Sequence, residues 1–415
     1  MKENVKKMSC IFVSAALAAT SLLGTVVSAD GDLSGSIRVV TSANSGRPGL
    51  EAIAPLFEEA TGVSVQAEFG DTGTPTYTAS LMTELENGAA ADVFACFAGT
   101  GTSSPNLGSL VEAGVTMDLT DTEYGQRVWD GNLDSVMVDD KIYGVCLGVQ
   151  FSGIIYNTEL FEEYGLTVPT TWDELLTLVA KIKEVAPDKI PVSIAGGHST
   201  MAMIAASMLV CEEPSFTKDI TSFSEDEAWN AGLNKLMELQ EAGAFSDSVA
   251  TDDTNAVVTQ MVSGSAFMLL DLTSRYAAIK RADAECPIAM APMPTFEGGE
   301  QVMMLWPGTM FAVNADSENP DAAVAFINYI TEAANNKVWI DAAGGSELTP
   351  AQATGEDETP EQYTELAAVE KTVMIPCVTW DGPEASNTLG DDIPALLTGM
   401  MSVEEVLAAM DEAAE

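Results

Sequence analysis

The hydrophobic pattern after position 36 predicts a strand, a helix and a second strand in succession. Residues 37–41 form a short apolar run that is typical of a buried strand. From Leu50, apolar side chains recur at helical spacing until Gly62, and glycine favours a helix end. Residues 63–67 then alternate between apolar and polar, as strands do. This order indicates an α/β layer with a parallel pair of strands.

Strand-like and helix-like patterns continue to alternate along the rest of the chain. Further strands are predicted at residues 91–95, 191–195 and 264–268. Further helices are predicted at residues 77–87, 172–185, 201–209, 226–241, 254–262, 320–331 and 403–413. The helix near 172 follows a threonine cap at Thr170 or Thr171, and its first turn carries Asp173 and Glu174, which the helix dipole favours. The expected fold class is α/β.

The N-terminus has the pattern of a secretory signal peptide. Three lysines precede an apolar run at residues 11–27, and small residues follow at 27–29. This pattern predicts a signal peptide over residues 1–29 that is absent from the mature protein. A retained membrane anchor is the alternative, but the run contains Ser, Thr and Gly and is short for a span of about 20 apolar residues. Removing 29 residues leaves 415 − 29 = 386, enough for about two domains.

Charge and cysteine content exclude several classes of function. The formal net charge of −46 disfavours binding to nucleic acids or anionic membranes. Outside the predicted signal peptide, five cysteines are widely spaced without a C-x-x-C pair, which indicates isolated buried thiols rather than disulfides or a zinc site. We therefore expect no metal and no cofactor.

Catalytic motifs are hard to find in the chain. It contains one histidine, His198, and no Gly-x-Ser-x-Gly element surrounds any serine. Residues 70–74 are rich in glycine but lack the lysine of a phosphate-binding loop. An acidic chain offers many carboxylate pairs, so a secreted glycoside hydrolase stays open as a less favoured alternative. We expect a binding protein rather than an enzyme.

Three segments carry a resemblance to a known family. They are Asp139-Asp140-Lys141-Ile142-Tyr143-Gly144, Tyr156-Asn157, and Pro169-Thr170-Thr171-Trp172-Asp173-Glu174-Leu175. Together with Ala91-Asp92-Val93 and Gly264-Ser265-Ala266-Phe267-Met268, they resemble the extracellular solute-binding proteins of ABC importers, in the carbohydrate-binding group that is similar to maltose-binding protein. The resemblance implies a two-lobe periplasmic-binding-protein-like fold of type II, with mixed sheets flanked by helices and a ligand cleft at the hinge.

The resemblance also implies where the chain passes between the lobes. The crossings are expected near residues 146–149, 305–308 and 344–346. The N-lobe would comprise residues 30–147 and 308–344, and the C-lobe residues 148–307 and 345–415. Relatives commonly carry a lipid-bearing cysteine after the apolar run, but this chain has Asp30 there. We expect a secreted protein at the extracellular face of the membrane, with no nucleic acid partner.

The function implied by the resemblance is transport. The protein would capture a carbohydrate, with an oligosaccharide favoured, by hinge closure and deliver it as a monomer to a membrane ABC permease. A polyamine or a glycerophosphodiester is the alternative ligand, because the same fold binds these solutes.

The candidate ligand-binding residues lie mainly where strands end beside the expected cleft. They are Asn44, Ser45, Arg47, Asp71, Phe97, Gln150, His198, Asp271, Ser274, Trp306 and Trp380. Gln150 has a hinge hydrogen bond as its alternative role, His198 a surface position, and Trp306 and Trp380 a place in the core. Relatives commonly have N-G-x-W at the positions of Asp271 to Ser274, so one stacking surface is missing here.

Overall fold

The structure is a computed structural model that describes residues 33–43, 45–72, 75–102, 105–218, 220–296 and 299–415. The predicted signal peptide lies outside the described residues. The strands are β1 (Ser36–Ser42), β2 (Ser64–Gly70), β3 (Val93–Ala95), β4 (Met137–Val138), β5 (Lys141–Ile142), β6 (Gly144–Cys146), β7 (Val149–Asn157), β8 (Ile190–Ser193), β9 (Ala266–Leu272), β10 (Ile288–Ala291), β11 (Val302–Pro307), β12 (Met310–Val313) and β13 (Lys371–Met374).

Helices surround these strands along the whole described chain. They are α1 (Arg47–Thr61), α2 (Pro75–Glu86), α3 (Leu107–Glu112), α4 (Leu133–Val136), α5 (Thr158–Glu163), α6 (Trp172–Val185), α7 (Ser199–Cys211), α8 (Glu227–Glu241), α9 (Thr254–Val262), α10 (Thr273–Ala282), α11 (Pro320–Ile330), α12 (Ala333–Ala342), α13 (Pro350–Ala353), α14 (Thr364–Ala367), α15 (Glu384–Leu397) and α16 (Val403–Ala414). None of the described helices is both long and apolar enough to span a membrane.

Two mixed sheets organise the molecule. The first has the order β2-β1-β3-β12-β6, and the second has the order β13-β11-β7-β9-β8 with β10 added beside β7. β1 pairs parallel with β2 from Ser36↔Ser64, as the strand–helix–strand pattern predicts. β12 runs antiparallel to both β3 and β6. The expected α/β class with mixed sheets flanked by helices is confirmed. We call the parts built on the first and second sheets the N-lobe and the C-lobe.

Three connecting segments join the two sheets, and they lie side by side. The chain passes from β6 to β7 through Leu147-Gly148, returns from β11 to β12 through Gly308-Thr309, and leaves again after α12. The amide of Gly308 donates to the carbonyl of Gly148 at 2.8 Å, and the amide of Val149 donates to the carbonyl of Leu348 at 2.9 Å. These segments form the hinge. The exact residue limits expected for the two lobes stay a prediction.

Local sequence signals explain several elements. Thr171 caps α6 in a capping box with Glu174, as its position before Asp173 and Glu174 indicates. Asp139 and Asp140 join β4 to β5 with φ values of 51° and 61°, and aspartate tolerates this left-handed region better than most residues. The strand predicted at 264–268 is displaced to β9 because Gly264 instead forms the left-handed turn after α9, with φ 63°.

Candidate ligand-binding site

A cavity of about 410 Å³ lies where the hinge segments meet, between the two sheets. Both lobes contribute to its wall, together with two of the three connecting segments, at Gly308-Thr309 and after α12. The lining residues with hydroxyl groups are Thr41, Ser42, Ser45, Thr72, Thr102, Ser274, Thr309 and Ser346. The aromatic lining residues are Phe97 and Trp306, and Gln150 supplies an amide. We call this space the hinge cavity.

Gln150 and Trp306 form the centre of the site on the C-lobe side. They lie directly opposite each other on the antiparallel strands β7 and β11, so their side chains share one face of the sheet. Both side chains are half-buried. The amide oxygen Oε1 of Gln150 is buried and has no hydrogen-bond partner among the described residues. A buried carbonyl oxygen without a partner is costly, so this position favours a ligand that can donate a hydrogen bond.

The N-lobe contributes a loop between β1 and α1. Gly46 lies so close to Thr41 that a Cβ there would fall 2.0 Å from the Thr41 hydroxyl, so glycine is required for the turn. The turn leaves Ser45 exposed at the cavity wall, and the Ser45 amide donates to the Ser42 hydroxyl at 3.3 Å. Asn44, another candidate, lies outside the described residues.

Phe97 reaches the cavity from the segment after β3. Its backbone is held by Pro105, whose carbonyl accepts from the Phe97 amide at 2.9 Å, and by the Leu107 amide, which donates to the Phe97 carbonyl at 2.9 Å. Asn106 fixes the same loop, because its side chain caps α3 and donates to the Thr102 carbonyl at 2.7 Å. Phe97 and Trp306 thus give the cavity an apolar ring on each lobe.

Glu347 occupies the hinge side of the cavity and is only 8% exposed. Its carboxylate accepts hydrogen bonds from the amide and the hydroxyl of Thr309, both at 3.0 Å. Burial raises the pKa of this carboxyl, and the two hydrogen bonds from Thr309 oppose the rise. Burial also raises the pKa of the neighbouring Cys146 thiol to about 12, with Glu347 adding to the effect. Glu347 therefore joins two hinge segments rather than serving as a free acid.

Five of the candidate residues meet in the hinge cavity: Ser45, Phe97, Gln150, Ser274 and Trp306. Arg47 and Asp71 lie nearby but do not line it. The Arg47 guanidinium lies 3.8 Å from the centre of the Phe69 ring and 3.6 Å from the Glu51 carboxylate, so it packs along the N-lobe surface. Asp71 is exposed.

Asp271 and His198 also lie outside the cavity lining. Asp271 is 3% exposed and pairs with Arg275 at 3.0 Å, one turn later on α10. Burial raises the pKa of this carboxyl, and the Arg275 charge opposes the rise. Its role in the structure is thus to hold the start of α10. His198 is exposed at the position before α7.

Trp380 is the candidate whose place differs most from the expectation. It is 7% exposed, and its ring lies 4.8 Å from Phe223 and 5.6 Å from Trp229, measured between ring centres. It borders a second cavity of about 660 Å³, which we call the outer cavity, instead of the hinge cavity. The packing alternative therefore describes Trp380 better than a stacking role in the hinge cavity.

Several lining residues were not among the candidates. Thr309, Ser346 and Glu347 reach the cavity because two of the hinge segments converge there, and those segments are far apart in sequence. Thr72, the residue after Asp71, lines the cavity, and Asp71 does not. Within the described ranges, no group of three or more His, Cys, Asp or Glu side chains could hold a metal ion.

Comparisons with known proteins agree on one family. A family model described as bacterial extracellular solute-binding protein matches residues 43–337. The multiple sugar-binding protein of Streptococcus mutans is 23% identical over 270 residues, which cover 63% of this chain and 64% of that protein. The match therefore spans slightly less than two thirds of that relative's length.

Solved structures share the fold over nearly the whole chain. A protein solved in a study of xylan utilization by Caldanaerobius polysaccharolyticus superposes with a TM-score of 0.73 at 22% identity, covering 91% of this chain and 99% of that one. The GacH receptor of Streptomyces glaucescens gives 0.72 at 21% identity, covering 92% and 97%. The resemblance carried by the sequence motifs is thereby confirmed. Since the family match covers more than half of its residues, the chain belongs to the bacterial extracellular solute-binding proteins.

Proposed function

We propose that this protein is the extracellular substrate-binding subunit of an ABC importer and that it captures a carbohydrate in the hinge cavity. The protein would be exported, bind its ligand as a monomer, and pass it unaltered to a membrane permease. The observation that carries the proposal is the pairing of Gln150 with Trp306 on β7 and β11 at the wall of the hinge cavity.

This pair suits the apolar C–H face and the hydroxyl groups of a pyranose ring. The C–H face of a sugar packs against a flat aromatic ring, and its hydroxyls donate to and accept from amides and hydroxyls. The unpartnered Oε1 of Gln150 and the hydroxyl-rich wall supply the polar part. The relatives support the ligand class: one is named a multiple sugar-binding protein, and the GacH receptor was solved in complex with acarbose and an acarbose homolog.

The proposed mechanism is closure of the two lobes on the ligand. A ligand that contacts Phe97 on the N-lobe and Trp306 on the C-lobe binds the closed arrangement better than an open one. Closure therefore draws its free energy from this difference in affinity. A dissociation constant near one micromolar corresponds to about −8 kcal/mol, which suffices for capture.

A thermal-shift screen of mono- and oligosaccharides, polyamines and phosphate esters, followed by calorimetric titration of the hits, tests the proposal. For a sugar that binds, Trp306→Ala and Gln150→Ala should each weaken binding about fivefold, since one stacked ring or one hydrogen bond contributes roughly 1 kcal/mol. Trp129→Ala and Gln126→Ala are the matched controls, because neither residue lines the hinge cavity. Equal losses in the control variants would contradict the proposal.

The same experiment separates binding from catalysis. Saturable heat with no sugar product, analysed by chromatography after prolonged incubation, is expected for a transport protein. Release of shorter saccharides would instead favour the glycoside hydrolase alternative.

Small-angle scattering should detect compaction when the sugar that binds is added, and an unchanged radius of gyration would argue against closure.

A further inference from the structure

The two lobes touch each other a second time, away from the hinge. Gly99, Thr100 and Gly101 of the N-lobe, which we call the 99–101 loop, lie against residues 378–386 of the C-lobe. The Thr100 amide donates to the Val378 carbonyl at 2.9 Å, and the Thr100 hydroxyl donates to the Trp380 carbonyl at 2.5 Å. The Ser386 hydroxyl donates to the Gly101 carbonyl at 2.8 Å. The two lobes are thus hydrogen-bonded to each other at a second place, outside the three hinge segments.

Glycine makes this close approach possible. Gly99 has φ 61°, and a Cβ there would lie 2.0 Å from the Val378 carbonyl oxygen. A Cβ on Gly101 would lie 2.1 Å from the Cys377 carbonyl oxygen. Any larger side chain at these positions would push the lobes apart. The 99–101 loop itself is fixed to the N-lobe, since the Gly99 amide donates to the Ser135 carbonyl at 3.0 Å.

The contact separates two cavities. Ala98 and Thr102, which flank the loop, line the hinge cavity. Thr379, Trp380 and Ala385, on the other side of the contact, line the outer cavity. A saccharide in the hinge cavity can extend toward Trp380 only by displacing the 99–101 loop from residues 378–386.

The space left for the ligand is small. The hinge cavity, at about 410 Å³, lies near the lower end of the range of roughly 300–1,000 Å³ that holds drug-sized ligands.

We propose that the 99–101 loop closes the hinge cavity toward Trp380 and so limits the tightly held part of the ligand to one or two rings. This inference rests on the proposed function and sets a shorter ligand than the oligosaccharide that the resemblance favours. A ring added toward Trp380 must break lobe-to-lobe hydrogen bonds before it gains contacts of its own, and a ring added toward the exposed lining residues Ser45, Arg281 and Gly344 passes into solvent. Trp380 takes no part in binding while the loop is in place.

Calorimetric titration with xylo-, malto- and chitin-oligosaccharides, each from one to five rings, tests this limit. In whichever series binds, affinity should rise up to one or two rings and then change by less than about threefold up to five rings, because the further rings gain few contacts. Affinity that keeps rising to four or five rings would overturn the inference and leave the proposed function standing. Failure of every series to bind would overturn both.

A double variant tests whether the loop is the cause. Thr100→Val with Ser386→Ala removes the two hydroxyl donors across the contact, so longer chains can extend toward Trp380, and their affinity should exceed that of the two-ring chain by about tenfold. Thr259→Val with Ser263→Ala is the matched control, since these hydroxyls bond within and just after α9. An unchanged length preference in the Thr100/Ser386 variant, with its melting temperature retained, would overturn the assignment to the loop.

Discussion

A buried carboxyl group in the C-lobe should make the stability of this protein depend on pH. Glu212 follows α7, is 2% exposed, and its Oε2 atom has no hydrogen-bond partner within the described part of the chain. Burial raises the pKa of this carboxyl from 4.5 to about 9, while the Val302 amide and the Lys371 charge oppose the rise. The group is therefore mostly protonated in the folded protein at neutral pH.

The sign follows from comparing the folded and unfolded chains. Because folding raises the pKa, the protonated carboxyl stabilises the fold fully below pH 4.5, and this contribution is lost as the pH rises toward 9. One pH unit in this window corresponds to about 1.4 kcal/mol. Between pH 5 and pH 7.5 Glu212 should therefore lower the free energy of unfolding by about 3 kcal/mol.

The variant Glu212→Gln keeps the shape of the side chain and removes its titration. Its free energy of unfolding in urea, minus that of the unaltered protein, should increase by about 3 kcal/mol from pH 5 to pH 7.5. Glu162→Gln on α5 is the matched control, because it removes the same charge from an exposed position. If the difference for Glu212→Gln stays constant between the two pH values, the reasoning from burial is wrong.

Three further substitutions test the packing, a helix cap and the hinge. Trp380→Ala should lower the free energy of unfolding by about 3–5 kcal/mol in urea melts, because its ring packs against Phe223 in the core; a change below 1 kcal/mol would place Trp380 outside the core. Thr171→Ala should lower it by about 1 kcal/mol through loss of the α6 cap, and the same melts would contradict this if stability were unchanged. Gly308→Ala would place a Cβ 2.2 Å from Oε2 of Glu347, so it should weaken ligand binding by disturbing the hinge; calorimetric affinity equal to that of the unaltered protein would argue against this.

Local chemistry explains which elements the sequence predicts well. Thr171 followed by Asp173 and Glu174 marks the start of α6, because a cap and a first turn involve only adjacent residues. In contrast, α15 contains both Pro394 and Gly390. Gly390 packs closely on Ser199, because a Cβ on Gly390 would lie 2.3 Å from the Ser199 carbonyl oxygen. Glycine and proline argue against a helix locally. Packing against α7 overrides that preference, and no local pattern reveals it.

The candidate site also combines features that the nearby sequence predicts with features that depend on contacts between distant segments. Gln150 and Trp306 were found because each lies beside an expected crossing, but their opposite positions on β7 and β11 depend on a pairing between distant segments. Trp380 was chosen by its likeness to a position in relatives. Its actual neighbours, Phe223 and Trp229, are about 150 residues away in the chain, so its burial could not be inferred from the surrounding sequence.

The strong negative charge does not extend into the hinge cavity, and this favours a neutral ligand. The chain has 63 acidic residues, yet among the described residues lining the cavity the carboxylate is that of Glu347, which Thr309 already engages. A polyamine would need several free carboxylates facing it, since an ammonium loses its hydration when bound. A phosphate ester would need cations, and Arg281 on the exposed end of α10 is the cation in the lining. Hydroxyls, an amide and two aromatic rings make up most of the remaining polar and flat surface, and a neutral sugar is the solute that matches them.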